Sequence, residues 1–138
     1  MKLKQIVQQY IISTIIILAI FVAIREINDN RPFKFENYNY ESFKPAIQTK
    51  FPVGSDIDKV IEILVASDVQ EIRISQVNNY IAEGTKPNAK YIVSFDYYAS
   101  VVSLNPNTLY IIYTEVDENR KIIKITGSSS PWLEGTRW

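Results

Sequence analysis

The side chains that could do chemistry in this chain are few, and most are carboxylates. Asp56, Asp58 and Glu62 lie close together, and Asp58 and Glu62 stand i, i+4, on one face of any helix there. A hard-cation site needs oxygens converging from several directions, and one helix supplies too few. The cluster reads better as a helix start. Ser55 is the expected N-cap, with Asp58 three residues on, a capping box carrying Asp in place of Glu. Asp56 and Asp58 also suit the positive end of the helix dipole. Asp96 sits mid-strand between aromatic neighbours and is expected on the polar face of a sheet. The other reading, a buried carboxylate, would carry a raised pKa. Ser42-Phe43-Lys44 and the Ser55, Lys59 pair could suggest Ser-Lys catalysis, but both coincide with helix starts, where Ser serves as a cap.

Composition narrows the chemistry further. The 138-residue chain has 0 His and 0 Cys, so it has no Ser-His or Cys-His pair, no imidazole or thiolate ligand, no disulfide and no thiol lipid anchor. Its 4 glycines, Gly54, Gly84, Gly127 and Gly135, are scattered and build no phosphate-cradling loop. Lys+Arg and Asp+Glu balance at 15 each, which argues against a nucleic-acid partner. No catalytic residue, cofactor or metal site emerges.

The elements that position these residues begin with a hydrophobic run. Tyr10 to Ile24 reads YIISTIIILAIFVAI, and only Ser13 and Thr14 interrupt it. Extended back to Ile6, the run is long enough, at about 1.5 Å per helical residue, to nearly match a hydrocarbon core of roughly 30 Å. Lys2 and Lys4 precede it, and Arg25-Glu26 follow. Three readings compete: an uncleaved signal anchor, a cleaved signal peptide and a buried core helix. Ala19 and Ala23 do not make a small-x-small cleavage site, and a helix with no polar face is hard to bury in so small a domain. The expectation is a transmembrane anchor over residues 6–24. Residues 1–5 are then cytoplasmic and the rest lies outside, by the positive-inside rule. The outer part, residues 25–138, carries 13 basic and 15 acidic groups.

Residues 25–41 read as an extended aromatic linker in which Phe33, Phe35, Tyr38 and Tyr40 alternate with polar residues. These aromatics either lie on the domain or form a lipid-surface or partner-binding strip. With Tyr98 of the sheet they are the candidate partner-binding residues, Tyr being favoured at interfaces. A short helix is expected over 42–50, with Ser42 as cap and Pro45 in its first turn. A second follows Gly54, its apolar face made by Ile57, Val60, Ile61 and Leu64. Val69 to Ser75 alternates like a strand. Gln76 to Glu83 fits either a helical turn or a loop. Tyr91 to Leu104, Leu109 to Val116 and Arg120 to Thr126 read as an antiparallel meander, turned at Asn105-Pro106-Asn107 and Asp117-Glu118-Asn119. In the first of these strands Tyr91, Val93, Phe95 and Tyr97 share a face. The pattern is expected to end at Gly127, leaving 128–138 as a tail with Trp132 and Trp138. The expected fold is α+β: a transmembrane helix, then over 42–127 two short helices packed on a three- to four-stranded antiparallel meander.

FPVGSDIDKVIEIL, with Gly54 before a capped amphipathic helix, resembles the start of the SmpA/OmlA (BamE-like) family of small bacterial envelope domains. YIVSFDYY and LYIIYTEVDENRKIIKI resemble its strands, including the final hairpin, and the likeness covers about residues 42–126. There are departures. Val65-Ala66-Ser67-Asp68 follows Leu64 where the family has Leu-Gly-x-Pro, and Asn119 or Arg120 replaces the hairpin Gly. The resemblance implies a non-enzymatic domain on the outer side of a bacterial inner membrane, periplasmic or extracellular, serving envelope assembly. The functional expectation is accordingly a membrane-anchored, non-catalytic interaction domain. It has the lipid bilayer as one partner, through residues 6–24, and an envelope protein as another. The alternative is a small-ligand or lipid-binding module with a cleft between helices and sheet.

Overall fold

The computed structural model describes residues 2–27, 29–77, 84–100, 103 and 105–131. The chain divides into two compact units, residues 1–30 and residues 31–138. The first is a helix, α1 (Lys2–Ile27). Over Lys2–Ile24 it is long and apolar enough to cross a membrane, and 0% of its most apolar window is buried. Thr14 Oγ1 donates back to the Tyr10 carbonyl at 2.8 Å, which hides a polar group on an otherwise apolar surface.

The second unit is α+β. A 3-10 turn (Phe35–Asn37) leads to α2 (Tyr40–Lys50) and α3 (Ile57–Ala66). Four strands follow: β1 (Glu71–Gln76), β2 (Tyr91–Tyr98), β3 (Thr108–Val116) and β4 (Ile122–Pro131). They form one antiparallel sheet in sequence order. The helices and the sheet share one core: Phe43 and Ile47 of α2; Ile57, Val60 and Leu64 of α3; and Val93, Phe95, Tyr110, Ile112, Val116, Ile122 and Ile125 of the sheet.

Both helix starts differ from expectation. Asn39, not Ser42, caps α2: its side chain accepts from the Ser42 N–H at 2.9 Å. Ser42 completes the box by accepting from the Asn39 N–H at 2.9 Å. Asp56, not Ser55, caps α3, accepting from the Asp58 N–H at 2.9 Å. Ser55 donates instead to the Pro52 carbonyl at 2.6 Å and holds the turn before the helix. Asp58 does not reach back to the cap. It takes a two-point contact from Arg120, Nε to Oδ2 at 2.7 Å and Nη2 to Oδ1 at 2.5 Å. That contact holds its carboxyl below the usual range. Arg120 sits at φ 62, in the left-handed position where a hairpin Gly would be expected. Its bond across to Asp58 ties the β3–β4 turn to the start of α3.

β4 runs past the expected end at Thr126 as far as Pro131. Its Gly127–Pro131 stretch pairs with Thr108–Ile112 of β3, whose backbone groups would otherwise lack partners. Gly127 belongs in the strand because α2 crosses close above it. A Cβ there would lie 3.0 Å from Phe43 Cε1. β2 stops at Tyr98, short of the expected Leu104. Gln76 ends β1, whereas residues 78–83 and the Trp132 and Trp138 positions lie outside the described residues.

These assignments give a direct check by urea denaturation. Asp56→Ala is expected to cost about 1 kcal/mol, and Ser55→Ala less. Gly127→Val is expected to cost about 1–3 kcal/mol through overpacking on Phe43. A larger loss for Ser55→Ala than for Asp56→Ala would contradict the cap assignment.

Candidate functional site

The most concentrated polar chemistry in the folded unit lies where the chain enters it. Pro32 keeps Arg31 out of helical geometry. Lys34 and Phe35 carbonyls then accept from Asn37 N at 3.2 Å and Tyr38 N at 3.1 Å, and this tight turn points Glu36 inward. Glu36 is 3% exposed. Arg31 Nη2 donates to Glu36 Oε2 at 3.0 Å, and Arg31 Nη1 donates to the Tyr97 hydroxyl at 2.7 Å. The Tyr97 hydroxyl in turn donates to Glu36 Oε1. Asn105 Nδ2 donates to the Glu36 carbonyl at 2.5 Å and the Tyr38 carbonyl at 3.1 Å, and the Tyr110 hydroxyl donates to the Tyr38 carbonyl at 2.7 Å. Phe33 N donates to Ser67 Oγ at 3.0 Å. The entering strand is thus tied to β2, β3, the β2–β3 turn and the end of α3.

Burial, followed by the hydrogen bond to Glu36, drives the Tyr97 pKa well above the ordinary tyrosine value. Burial, followed by the Glu36 charge, pushes Tyr110 up to about 12. Glu36, Tyr97 and Tyr110 spend their polar atoms within the fold, so the arrangement is a clamp.

The candidate aromatics separate accordingly. Phe33 (4% exposed) and Phe35 (1%) are core residues, not a surface strip. Phe35 stacks on Tyr97 with ring centroids 4.3 Å apart, and Phe33 stacks on half-buried Tyr38 at 5.2 Å. The segment expected as an extended linker over 25–41 is therefore part of the folded unit from Arg31 onward. Tyr40 is 74% exposed on α2. Tyr98 is half-buried and, by strand alternation, on the sheet face opposite Tyr97.

That opposite face holds two carboxylates. Asp96 is buried, contrary to the exposed position expected, and Arg73 Nη2 reaches both of its oxygens at 3.0 Å from β1 to β2. Desolvation outweighs the arginine and raises its pKa. Glu115 is fully buried. Its Oε1 accepts from the Lys86 N–H at 2.5 Å, and its Oε2 lies 3.3 Å from Lys124 Nζ. Asp56, Asp58 and Glu62 are spent on a cap, on Arg120 and on solvent, and among the described residues no three acidic side chains converge as metal ligands.

The space between helices and sheet is filled by the shared aromatic and aliphatic core. A groove of about 670 Å³ lies elsewhere, between the entering strand and α2, lined among others by Arg31, Lys34, Tyr38, Pro45 and Lys50. No family model, no curated protein and no solved structure matches the chain.

The clamp has measurable consequences. Arg31→Met strands a buried carboxylate and is expected to cost about 3–5 kcal/mol, whereas Tyr97→Phe, which removes one hydroxyl, is expected to cost about 1–2 kcal/mol. The raised tyrosine values make the unfolded chain lose its phenolic protons first. Stability is therefore fully present below pH 10 and falls as pH rises toward about 12. Tyr110→Phe should flatten that alkaline decline in pH-dependent thermal unfolding; an unchanged slope would contradict the burial of the hydroxyl.

Proposed function

We propose that this chain is a membrane-anchored, non-catalytic extracytoplasmic domain that serves as a protein-interaction or envelope-assembly accessory. The observation that carries the reading is the pairing of an apolar helix, 0% buried over its most apolar window, with a folded unit that begins only a few residues later. An apolar helix of that length left uncovered calls for a lipid surround. Lys2 and Lys4 before it favour a cytoplasmic N-terminus and a periplasmic or extracellular domain at a bacterial inner membrane. The absence of His and Cys, and the inward engagement of the buried polar groups, support a binding role over catalysis. The BamE-like resemblance, which rests on the sequence alone, points the same way.

The second reading, a small-ligand or lipid-binding module, draws its support from the groove beside α2, where Lys34 and Lys50 stand at the rim of a floor containing Tyr38 and Pro45. It moves the expected ligand cleft away from the helix–sheet interface.

Protease added to intact spheroplasts is expected to digest the folded unit and leave a membrane-embedded N-terminal fragment. Gentle detergent extraction is expected to recover the chain with an envelope protein. Protection of the domain in intact spheroplasts would overturn the topology, and a strictly solitary chain would remove the accessory role.

A further inference from the structure

The sheet has two edges, and the fold treats them differently. The outer edge of β4 is occupied over residues 122–125: Gly54 N donates to the Ile122 carbonyl at 2.7 Å, Ile122 N to the Ser55 carbonyl at 2.8 Å, and Gln48 Nε2 to the Ile125 carbonyl at 3.2 Å. Among the described residues, nothing pairs with the outer edge of β1. Val77 N donates to the Lys90 carbonyl at 2.9 Å, which fixes the phase of the β1–β2 ladder. Ser75 and Arg73 therefore bond to β2, and Ile72, Ile74 and Gln76 turn their backbone N–H and C=O groups outward. Every residue of β1 except Ile72 is exposed, and Ile74 is 62% exposed.

The charges on this edge are unbalanced. Glu71 stands directly opposite Asp96, a like-charge arrangement that disfavours pairing. Arg73 is turned to Asp96, and Glu71 makes no ion pair among the described residues. We propose that β1 pairs antiparallel with β1 of a second copy of this chain, with Ile72 opposite Ile72 and each Glu71 opposite Arg73 of the other copy. The outward Ile72 groups then exchange hydrogen bonds across a twofold axis, and the two four-stranded sheets become one. The charges select this register. Placing Ile72 opposite Ile74 sets Arg73 against Arg73, and placing Ile74 opposite Ile74 leaves Glu71 against Val77. A slip by one residue puts core-facing side chains on the polar face. Two exposed ion pairs and a short ladder make a weak contact in free solution. The proposal rests on the anchored reading for concentration, because confinement to one membrane raises the effective concentration of copies.

The chain has 0 native Cys, so an introduced thiol is its sole thiol, and a band at twice the chain's mass reports self-pairing. Ile72→Cys and Ile74→Cys in the full chain, in native membranes, are oxidised with copper-phenanthroline and run on non-reducing gels. In the proposed register the Cα atoms at 72 lie about 5.5 Å apart, within disulfide reach, and those at 74 roughly 14 Å apart, beyond it. Ile72→Cys is expected to give a homodimer band at least about tenfold stronger than Ile74→Cys, a factor equal to about 1.4 kcal/mol. Adding Glu71→Arg should remove most of that band, and Glu71→Asp should keep it. Stronger cross-linking at 74, an adduct to a different protein, or indifference to Glu71→Arg would overturn the pairing. Carbonate washing of the same membranes separates the two claims: release of the chain overturns anchoring, while the band ratio still decides the pairing.

Discussion

The buried ion pair between Arg31 and Glu36, closed by the Tyr97 hydroxyl, sets where this chain stops being a tether and becomes a domain. Burying two charges is costly, and the cost is offset only when each remaining polar atom finds a partner. Here the partners come from distant parts of the sequence. Tyr97 is on β2, Asn105 in the β2–β3 turn and Tyr110 on β3. Glu36 can be accommodated only when the sheet is formed, and the entering strand can pack Phe33 and Phe35 only when Glu36 is accommodated. The clamp and the core are thus one cooperative structure.

From that constraint the sheet acquires two distinct faces. The clamp side carries the aromatic stack of Phe35, Tyr97, Phe43 and Tyr110 and receives α2 and α3. The other side carries isolated charge pairs, Arg73 with Asp96 and Lys124 with Glu115. The two edges also diverge. The helix-side segment around Gly54 and Ser55 covers the start of β4, while among the described residues β1 keeps its outward backbone groups unpaired. The proposed interaction role draws on that unpaired edge among the described residues.

Local patterns in the sequence carried much of this. The alternation of Tyr91, Val93, Phe95 and Tyr97 placed one face of β2 correctly, and the spacing of Ile57, Val60 and Leu64 placed the buried face of α3. Pieces that depend on distant contacts were not legible. Asp96 looked exposed because its partner, Arg73, arrives from 23 residues away. Glu36 lies between Phe35 and Asn37, where nothing local announces a partner at Tyr97, 61 residues on. The caps moved by one to three residues because Ser, Asn and Asp crowd both helix starts and each can serve. The strand character of Gly127 to Pro131 was hidden by residues that usually mark turns. The close approach of Phe43 explains why Gly127 is needed in a strand all the same.

Amide hydrogen exchange on the full chain tests the central claim most directly. Phe33 N is bonded to Ser67 Oγ and Tyr38 N to the Phe35 carbonyl, on either side of the Glu36 clamp. If the entering strand and the sheet open together, these two amides should exchange within about tenfold of the β2 core amide of Phe95, by global unfolding. Exchange of Phe33 and Tyr38 at the free-chain rate while Phe95 stays protected would show that the segment is a loose tether, and would contradict the account.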